Sequence, residues 1–199
     1  MNNLKNKLIQ YIKTAGIVRS RELKKLHIPF YYLNLLEKEG KLQKLGRGLY
    51  ADIDYQFDEN QSLMEVCKRI PRGVICLLSA LRFYEFTTQN PFEIWIAIDI
   101  KDRAPIIEYP PIRIVRFSKE ALHTGIEFKQ CQGTLLKIYN PAKTVVDCFK
   151  YRNKIGLDVA LEALRDGWRN KLFTIEELNK FAKICRMEQI MSPYIQSLL

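Results

Sequence analysis

The side chains with the clearest chemical meaning are basic and polar residues in the first fifty positions. Positions 1–50 carry eleven Lys and Arg residues against three acidic ones, so they hold +8 of the chain's net charge of +10. The remaining positions are therefore close to electrical balance. A cationic segment joined to a balanced body predicts that one end of the chain binds a polyanion, and nucleic acid is the expected polyanion.

Six of these side chains have types and spacings suited to double-stranded DNA. Asn34 can pair bidentately with adenine in the major groove, and Tyr31 can contact a phosphate or a thymine methyl group. Arg47 stands between two glycines, which let the backbone turn and approach a phosphate closely. The alternative interpretation is that these are ordinary solvated residues of a helix and a turn. The predicted DNA-binding set is Arg21, Tyr31, Asn34, Lys38, Lys44 and Arg47.

Three short helices are expected to position this set. Apolar residues at helical spacing predict an amphipathic helix over 3–14. Ser20 is expected to cap a second helix over 21–26. Pro29 suits the first position of a third helix, which Gly40 would end.

The third helix is the predicted recognition helix of a winged helix-turn-helix. If Leu33 and Leu36 pack inward, the contact residues of this helix lie on the opposite side, where they can enter a major groove. Phe30 and Tyr32 are expected to be core aromatics instead. Residues 41–50 alternate in polarity around a Gly-x-Gly turn, which predicts a β-hairpin wing.

The charge pattern also predicts a division into domains. Residues 51–60 contain four acidic residues and no basic one. We therefore expect a DNA-binding domain over 1–52, an acidic linker over 53–60 and a second domain over 61–199. The second domain is predicted to have helices over 62–70, 79–86, 157–168, 175–185 and 187–198, a further helix opened by Pro141, and strands over 93–98, 112–117, 127–129 and 134–139.

The predicted fold class is α+β. It combines the N-terminal winged helix-turn-helix with a mixed α/β C-terminal domain, which has a small central sheet and C-terminal helices. Thr174 and Glu177 are spaced as a capping box for the helix over 175–185.

Three segments, taken in order, resemble a known family. They are LEKEGKLQKLGRGLYA at 36–51, LLSALRFYEFT at 77–87 and YNPAKTVVDCF at 139–149. They are similar to the wing, the Ser-Ala-Leu helix start and the Pro-x-Lys-Thr-x-x-Asp helix of the AbiEi family, antitoxins of abortive-infection type IV toxin–antitoxin systems. The family often has a His-Gly pair after the Ser-Ala-Leu helix start, where this chain has Phe83-Tyr84-Glu85-Phe86.

The resemblance implies two activities. The N-terminal domain would repress the protein's own operon by binding inverted repeats in its promoter, and a dimer on such DNA is plausible. The C-terminal domain would neutralise a partner toxin of the nucleotidyltransferase class, for which a stable complex is not required. On this interpretation the chain is not an enzyme.

Enzymatic alternatives for the C-terminal domain stay open at this point. Asp99 and Lys101, with Glu85 as a second acid, are similar to the acidic-x-Lys arrangement of metal-dependent nucleases. Ser79 and Lys143 could form a nucleophile–base pair, although Ser79 is more simply a helix cap.

Two further pairs of charged side chains have an ordinary structural explanation. Glu162 and Asp166 are spaced to share a divalent ion, and Lys143 with Asp147 is an ordinary i,i+4 pair.

A ligand-sensing repressor is a third possibility, with Trp95 and Trp168 lining a pocket, although core packing explains both tryptophans equally well.

Composition argues against several other classes. The five cysteines are scattered without a Cys-x-x-Cys spacing, so we expect no metal and no cofactor, and most of the cysteines to be small buried residues. No phosphate-binding glycine loop occurs. No apolar stretch approaches a membrane span, and we therefore expect a cytoplasmic protein with no membrane partner.

Overall fold

The computed structural model describes residues 2–198, which form ten α-helices, eight β-strands and one short 3-10 helix at Ser20–Lys24. The helices are α1 (Asn2–Ala15), α2 (Tyr31–Lys38), α3 (Gln61–Arg69), α4 (Leu77–Phe83), α5 (Lys119–His123), α6 (Pro141–Lys150), α7 (Arg152–Ile155), α8 (Leu157–Arg169), α9 (Ile175–Cys185) and α10 (Glu188–Gln196). The strands are β1 (Val18–Arg19), β2 (Leu42–Gly46), β3 (Leu49–Asp52), β4 (Val74–Ile75), β5 (Ile94–Asp99), β6 (Ile112–Phe117), β7 (Ile126–Cys131) and β8 (Thr134–Tyr139). The predicted α+β class is confirmed.

The chain divides into two compact units. The first contains the residues up to Pro71 together with Lys129–Leu136, and the second contains Arg72–Phe128 together with the residues from Lys137 onward. Helix α3 and the turn between β7 and β8 therefore belong to the first unit, together with the N-terminal segment. The division at 53–60 stays a prediction about separable domains.

The first unit has the helices and wing of a winged helix-turn-helix. Its antiparallel sheet has the strand order β1-β3-β2, in which Val18 pairs with Tyr50 and Lys44 also pairs with Tyr50 from the other side. The short strand β1 was not predicted, because two residues show no periodicity. The core of the unit contains Leu8, Ile12, Val18, Leu23, Ile28, Tyr32, Leu33, Leu36, Leu42 and Tyr50.

Two expectations about helix starts in this unit are wrong. Ser20 is not a cap, because it is the first residue of the 3-10 helix and Arg19 holds the N-cap position without a side-chain hydrogen bond. The Ser20 N–H instead donates to the Gly48 carbonyl at 2.9 Å. Pro29 is not the first residue of α2, which begins at Tyr31 after Phe30 as the N-cap residue.

The other sheet of the chain is mixed and five-stranded, with the order β6-β5-β4-β8-β7, in which β5 runs parallel to β6 and β4 runs parallel to β8. Helix α6 begins as predicted, since Pro141 is its first residue and Asn140 Oδ1 accepts a hydrogen bond from the Lys143 N–H at 2.8 Å. The capping box of Thr174 and Glu177 at the start of α9 is confirmed.

The expected cap at Ser79 is wrong. Helix α4 begins at Leu77, two residues earlier, so Ser79 lies inside it. The buried Ser79 hydroxyl accepts a hydrogen bond from the Trp95 N–H at 2.9 Å. Ser79 therefore ties α4 to β5, and its oxygen satisfies a buried backbone donor.

Candidate nucleic-acid interface

Helix α2 separates an apolar face from a polar one. Tyr32, Leu33 and Leu36 are buried, as is expected of residues that hold a short helix on a core, whereas Asn34 and Lys38 are exposed. Burial of each of these apolar side chains stabilises the helix by about 1.5–3 kcal/mol. The predicted inward packing of Leu33 and Leu36 is confirmed, and it leaves the polar face available to a ligand.

Tyr31 is held in place by its neighbour. Its ring stacks on the ring of the buried Tyr32, with the centroids 4.3 Å apart, and half of Tyr31 stays exposed. The Tyr32 hydroxyl raises the pKa of Tyr31, so Tyr31 is a neutral hydroxyl at physiological pH. A neutral O–H can donate a hydrogen bond to a phosphate oxygen.

Phe30 was expected in the core, and this expectation is wrong. Its side chain is 46% exposed, whereas Tyr32 is buried as predicted. Helical periodicity explains the difference, because Phe30 lies four positions before the exposed Asn34 and so on the same face of α2. The signal was present in the sequence, but the aromatic character of Phe30 favoured the core assignment.

The wing turn brings two predicted cations close together. Arg47 lies between Gly46, at a φ of +149°, and Gly48, at +71°, and both conformations favour glycine. The hydrogen bond from Ser20 to Gly48 joins this turn to the 3-10 helix. Arg21 follows Ser20 and Arg47 precedes Gly48, so this bond brings their backbones close together, and both side chains are exposed. Lys44 is exposed on β2 before the turn.

Two of the three acidic residues in the first fifty positions, Glu22 and Glu39, are paired with other cations. Glu22 accepts hydrogen bonds from the Tyr11 hydroxyl at 3.0 Å and from Lys68 Nζ at 3.2 Å. Glu39 forms salt bridges with Lys5 at 2.6 Å and Lys41 at 3.3 Å. The hydrogen bond from Lys5 lowers the pKa of Glu39, and burial together with Glu22 raises that of Tyr11 to about 12.

The predicted cations keep their charge available. In the described part of the chain, none of Arg21, Lys38, Lys44 and Arg47 forms a salt bridge. All four side chains are exposed. An exposed cation without an acidic partner can neutralise a phosphate without first breaking an ion pair.

Arg19 is a nearby cation with a structural role. Its Nη1 donates to the carbonyls of Lys68 at 3.1 Å and Arg69 at 2.9 Å, at the end of α3. These are carbonyls of a last helical turn, which an arginine commonly satisfies. Burial lowers the pKa of Arg19, and its guanidinium is not available to a ligand.

In the second unit, Lys143 and Asp147 form a fully buried ion pair on α6. Lys143 Nζ lies 2.6 Å from Asp147 Oδ1, and both side chains have no exposed surface. The ammonium also lies 4.1 Å from the centre of the Tyr139 ring and 4.6 Å from that of Phe117. Burial raises the pKa of Asp147 while Lys143 opposes that rise, and the pair forms part of the core.

The other enzymatic candidates are engaged in ordinary contacts. Glu162 accepts a hydrogen bond from the Thr88 N–H at 2.7 Å, and Asp99 accepts one from the Lys101 N–H at 2.8 Å. Within residues 2–198, no three His, Cys, Asp or Glu side chains are grouped as metal ligands.

The two tryptophans have different surroundings. Trp95 is buried beneath the guanidinium of Arg113, whose carbon lies 5.1 Å from the ring centre. Trp168 lines an open cleft of about 770 Å³ with Phe173 and Ile175, where α8 ends and α9 begins. They therefore do not line one pocket together.

The comparisons with known proteins agree with this geometry. Residues 6–51, which contain most of α1, the 3-10 helix, α2 and nearly all of the wing, match the family model described as "Transcriptional regulator, AbiEi antitoxin". The N-terminal segment of the chain is therefore similar to the AbiEi antitoxin transcriptional regulators. The AbiEi match covers all six predicted contact residues, and it supports a DNA-binding regulator from a toxin–antitoxin context.

A solved structure is similar over most of the chain. The crystal structure of the RV2827C protein from Mycobacterium tuberculosis matches with a TM-score of 0.60 and 16% sequence identity, covering 92% of this chain and 70% of that one. At this identity the likeness shows the fold. No curated protein sequence matched the chain. Across residues 2–198, no helix has both the length and the apolar character that a membrane crossing requires.

Proposed function

We propose that this protein represses its own operon by binding inverted repeats in the promoter through the first unit. The observation that supports this most strongly is the set of four exposed cations on the 3-10 helix, α2 and the wing (Arg21, Lys38, Lys44 and Arg47), none of which forms a salt bridge within the described residues. Glu22 and Glu39 pair with Lys68 and Lys5, which lie outside this set. We propose a dimer on the DNA, because a two-fold repeat matches two copies of one recognition helix.

A gel shift on the protein's own upstream DNA tests this proposal. We expect specific binding relative to a scrambled duplex of equal length, and a steep loss of affinity between low and high salt. The reactions contain Mg²⁺, so that cleavage would be seen. Intact, shifted DNA supports the repressor; cleaved DNA would favour a metal-dependent nuclease, and no binding at low salt would contradict the proposal.

Arg47→Ala is expected to weaken binding to every sequence alike. The variant removes one phosphate contact, so the slope of log affinity against log salt should become shallower by about 0.9. The measurement is a salt titration of affinity on the promoter and on scrambled DNA. Lys183→Ala, an exposed cation on α9, is the matched control. An unchanged slope for Arg47→Ala would refute the wing contact.

We further propose that the second unit neutralises a nucleotidyltransferase-type toxin and that it uses no catalytic chemistry of its own. The match of residues 6–51 to the AbiEi antitoxin family model supports the first part. The second is supported by the engagement of Ser79, Lys143 and Glu162 in structural contacts.

Repression and neutralisation should be separable by point changes. The double variant Arg21→Ala, Arg47→Ala is expected to lose promoter repression and to keep rescue of cells that express the toxin, because both side chains are exposed and stabilise no core contact. The measurement is a promoter-reporter assay beside a growth-rescue assay at equal protein level. Loss of both activities would contradict the division of labour.

A further inference from the structure

We propose that Phe30 contacts a thymine methyl group in the bound DNA and so determines specificity together with Asn34. This inference rests on the proposed DNA-binding function and goes beyond it by naming a second base contact and the base that it reads. Phe30 has no hydrogen-bonding group, so it cannot bind a phosphate or a polar base edge. The thymine C5-methyl is the apolar feature that the major groove offers to such a side chain.

The backbone holds Phe30 out of the core. Ile28 and Tyr32, two positions before and two positions after Phe30, are each only 3% exposed, whereas Phe30 is 46% exposed. The Phe30 carbonyl accepts from the Leu33 N–H at 3.0 Å, and the Pro29 carbonyl accepts from the Tyr32 N–H at 3.3 Å. Phe30 therefore has a fixed helical backbone, with φ of −62° and ψ of −26°, and loses little freedom when it binds.

The position of Phe30 on α2 matches that of a base contact. The first residues of a recognition helix are the ones that reach base edges. Phe30 precedes Asn34 by four residues, so the two share a face and lie about 6 Å apart along the helix axis. This is close to two base-pair steps of about 3.4 Å. Phe30 and Asn34 are therefore expected to read base pairs about two steps apart.

The charged residues near Phe30 in the first unit indicate which kind of ligand covers its side chain. Lys38 lies on the same helix, and Arg21 and Arg47 lie in the same compact unit. All three are exposed, and none forms a salt bridge with another residue that the structure describes. A polyanion is attracted to such a surface, and an apolar protein surface would have to desolvate these cations. The occupant that fits both the aromatic side chain and the cations is double-stranded DNA entered from the major groove.

Single thymine-to-uracil changes in the operator test the contact, because uracil keeps the base pairing and lacks only the methyl group. For the wild-type protein, one such change is expected to lower affinity about four-fold, the value of one buried methyl group. Phe30→Ala should bind the unchanged operator about as weakly as the wild-type protein binds the uracil operator. For Phe30→Ala, the same thymine-to-uracil change should lower the affinity no further. Phe92→Ala, which alters a phenylalanine that is 83% exposed outside the interface, should behave as wild type.

Each outcome bears on one claim. If the wild-type protein tolerates every thymine-to-uracil change, or if Phe30→Ala keeps the same sensitivity, the thymine contact is wrong although DNA binding stands. If the wild-type protein does not bind its upstream DNA at low salt, the proposed function fails instead. Should Phe30→Ala melt at a lower temperature than wild type, Phe30→Gln supplies the same test with a side chain of closer size.

Discussion

Lys143→Ala is expected to destabilise the protein by about 3–5 kcal/mol at neutral pH. Removal of the ammonium leaves the carboxylate of Asp147 buried and uncompensated, which is among the costliest single changes in a core. The Cys185 thiol, 3.6 Å from Asp147 Oδ1, is too weak a donor to replace the ion pair. The measurement is urea unfolding of the full chain followed by circular dichroism.

The loss should depend on pH with a definite sign. Burial raises the pKa of Asp147, and loss of Lys143 removes the positive charge that opposes this rise. In Lys143→Ala the folded state therefore keeps the Asp147 proton after the unfolded state has released it, and stability falls as pH rises above about 4. The difference in the free energy of unfolding between wild type and Lys143→Ala is therefore expected to be smaller at pH 5 than at pH 7.

A double variant provides the control for the buried pair. Lys143→Met with Asp147→Leu replaces both charges by apolar groups, and we expect it to recover most of the lost stability. If Lys143→Ala alone unfolds at the wild-type urea concentration, the ion pair is not buried in solution.

Gly133→Ala is expected to destabilise the first unit by about 2–5 kcal/mol, from backbone strain and overpacking together. Gly133 has a φ of +81°, and a Cβ there would lie 2.1 Å from the Thr14 carbonyl oxygen. That oxygen belongs to the backbone and cannot rotate away. Because the cationic face lies in the same unit, promoter binding should be lost at a lower temperature than in wild type.

Gly40 offers a matched control for this change. It has a similar φ of +68°, but a Cβ there would have nothing within 4 Å. Gly40→Ala should therefore cost only the strain of the left-handed backbone, about 1–2 kcal/mol. Equal melting temperatures for Gly40→Ala and Gly133→Ala would show that the close approach at Gly133 is absent. The comparison uses thermal melts of the two variants at one protein concentration.

Local patterns predicted the elements that carry a strong periodic or capping signal. The alternating strand at Ile112–Phe117 and the helix at Ile175–Cys185 were predicted at the residues where they occur. The errors arose where tertiary contacts decide the outcome. Ser79 has the right residue type for a cap, but its hydroxyl serves a backbone donor on another element, sixteen positions away. No local pattern contains that pairing.

The interface was predictable to a similar degree. Residue type and helical spacing placed Asn34 and Lys38 on the exposed side of α2, and the structure agrees. The bond from Ser20 to Gly48, which links Arg21 to the wing turn, depends on a strand of two residues and could not be read from the sequence. The ion pair between Glu22 and Lys68 joins residues that are 46 positions apart in the sequence, so local patterns could not predict it either.

The turn between β7 and β8 also affects the timing of folding during synthesis. The Thr134 hydroxyl donates to the Ala15 carbonyl at 3.2 Å across 119 positions, and Gly16 and Gly133 pack against each other's neighbours. At a ribosomal rate of about 5–20 residues per second, Ala15 waits about 6–24 s for this partner to be made. The first unit is therefore completed only after Thr134 has been translated, so a nascent chain released before that point would lack this contact of the unit that carries the proposed DNA-binding face.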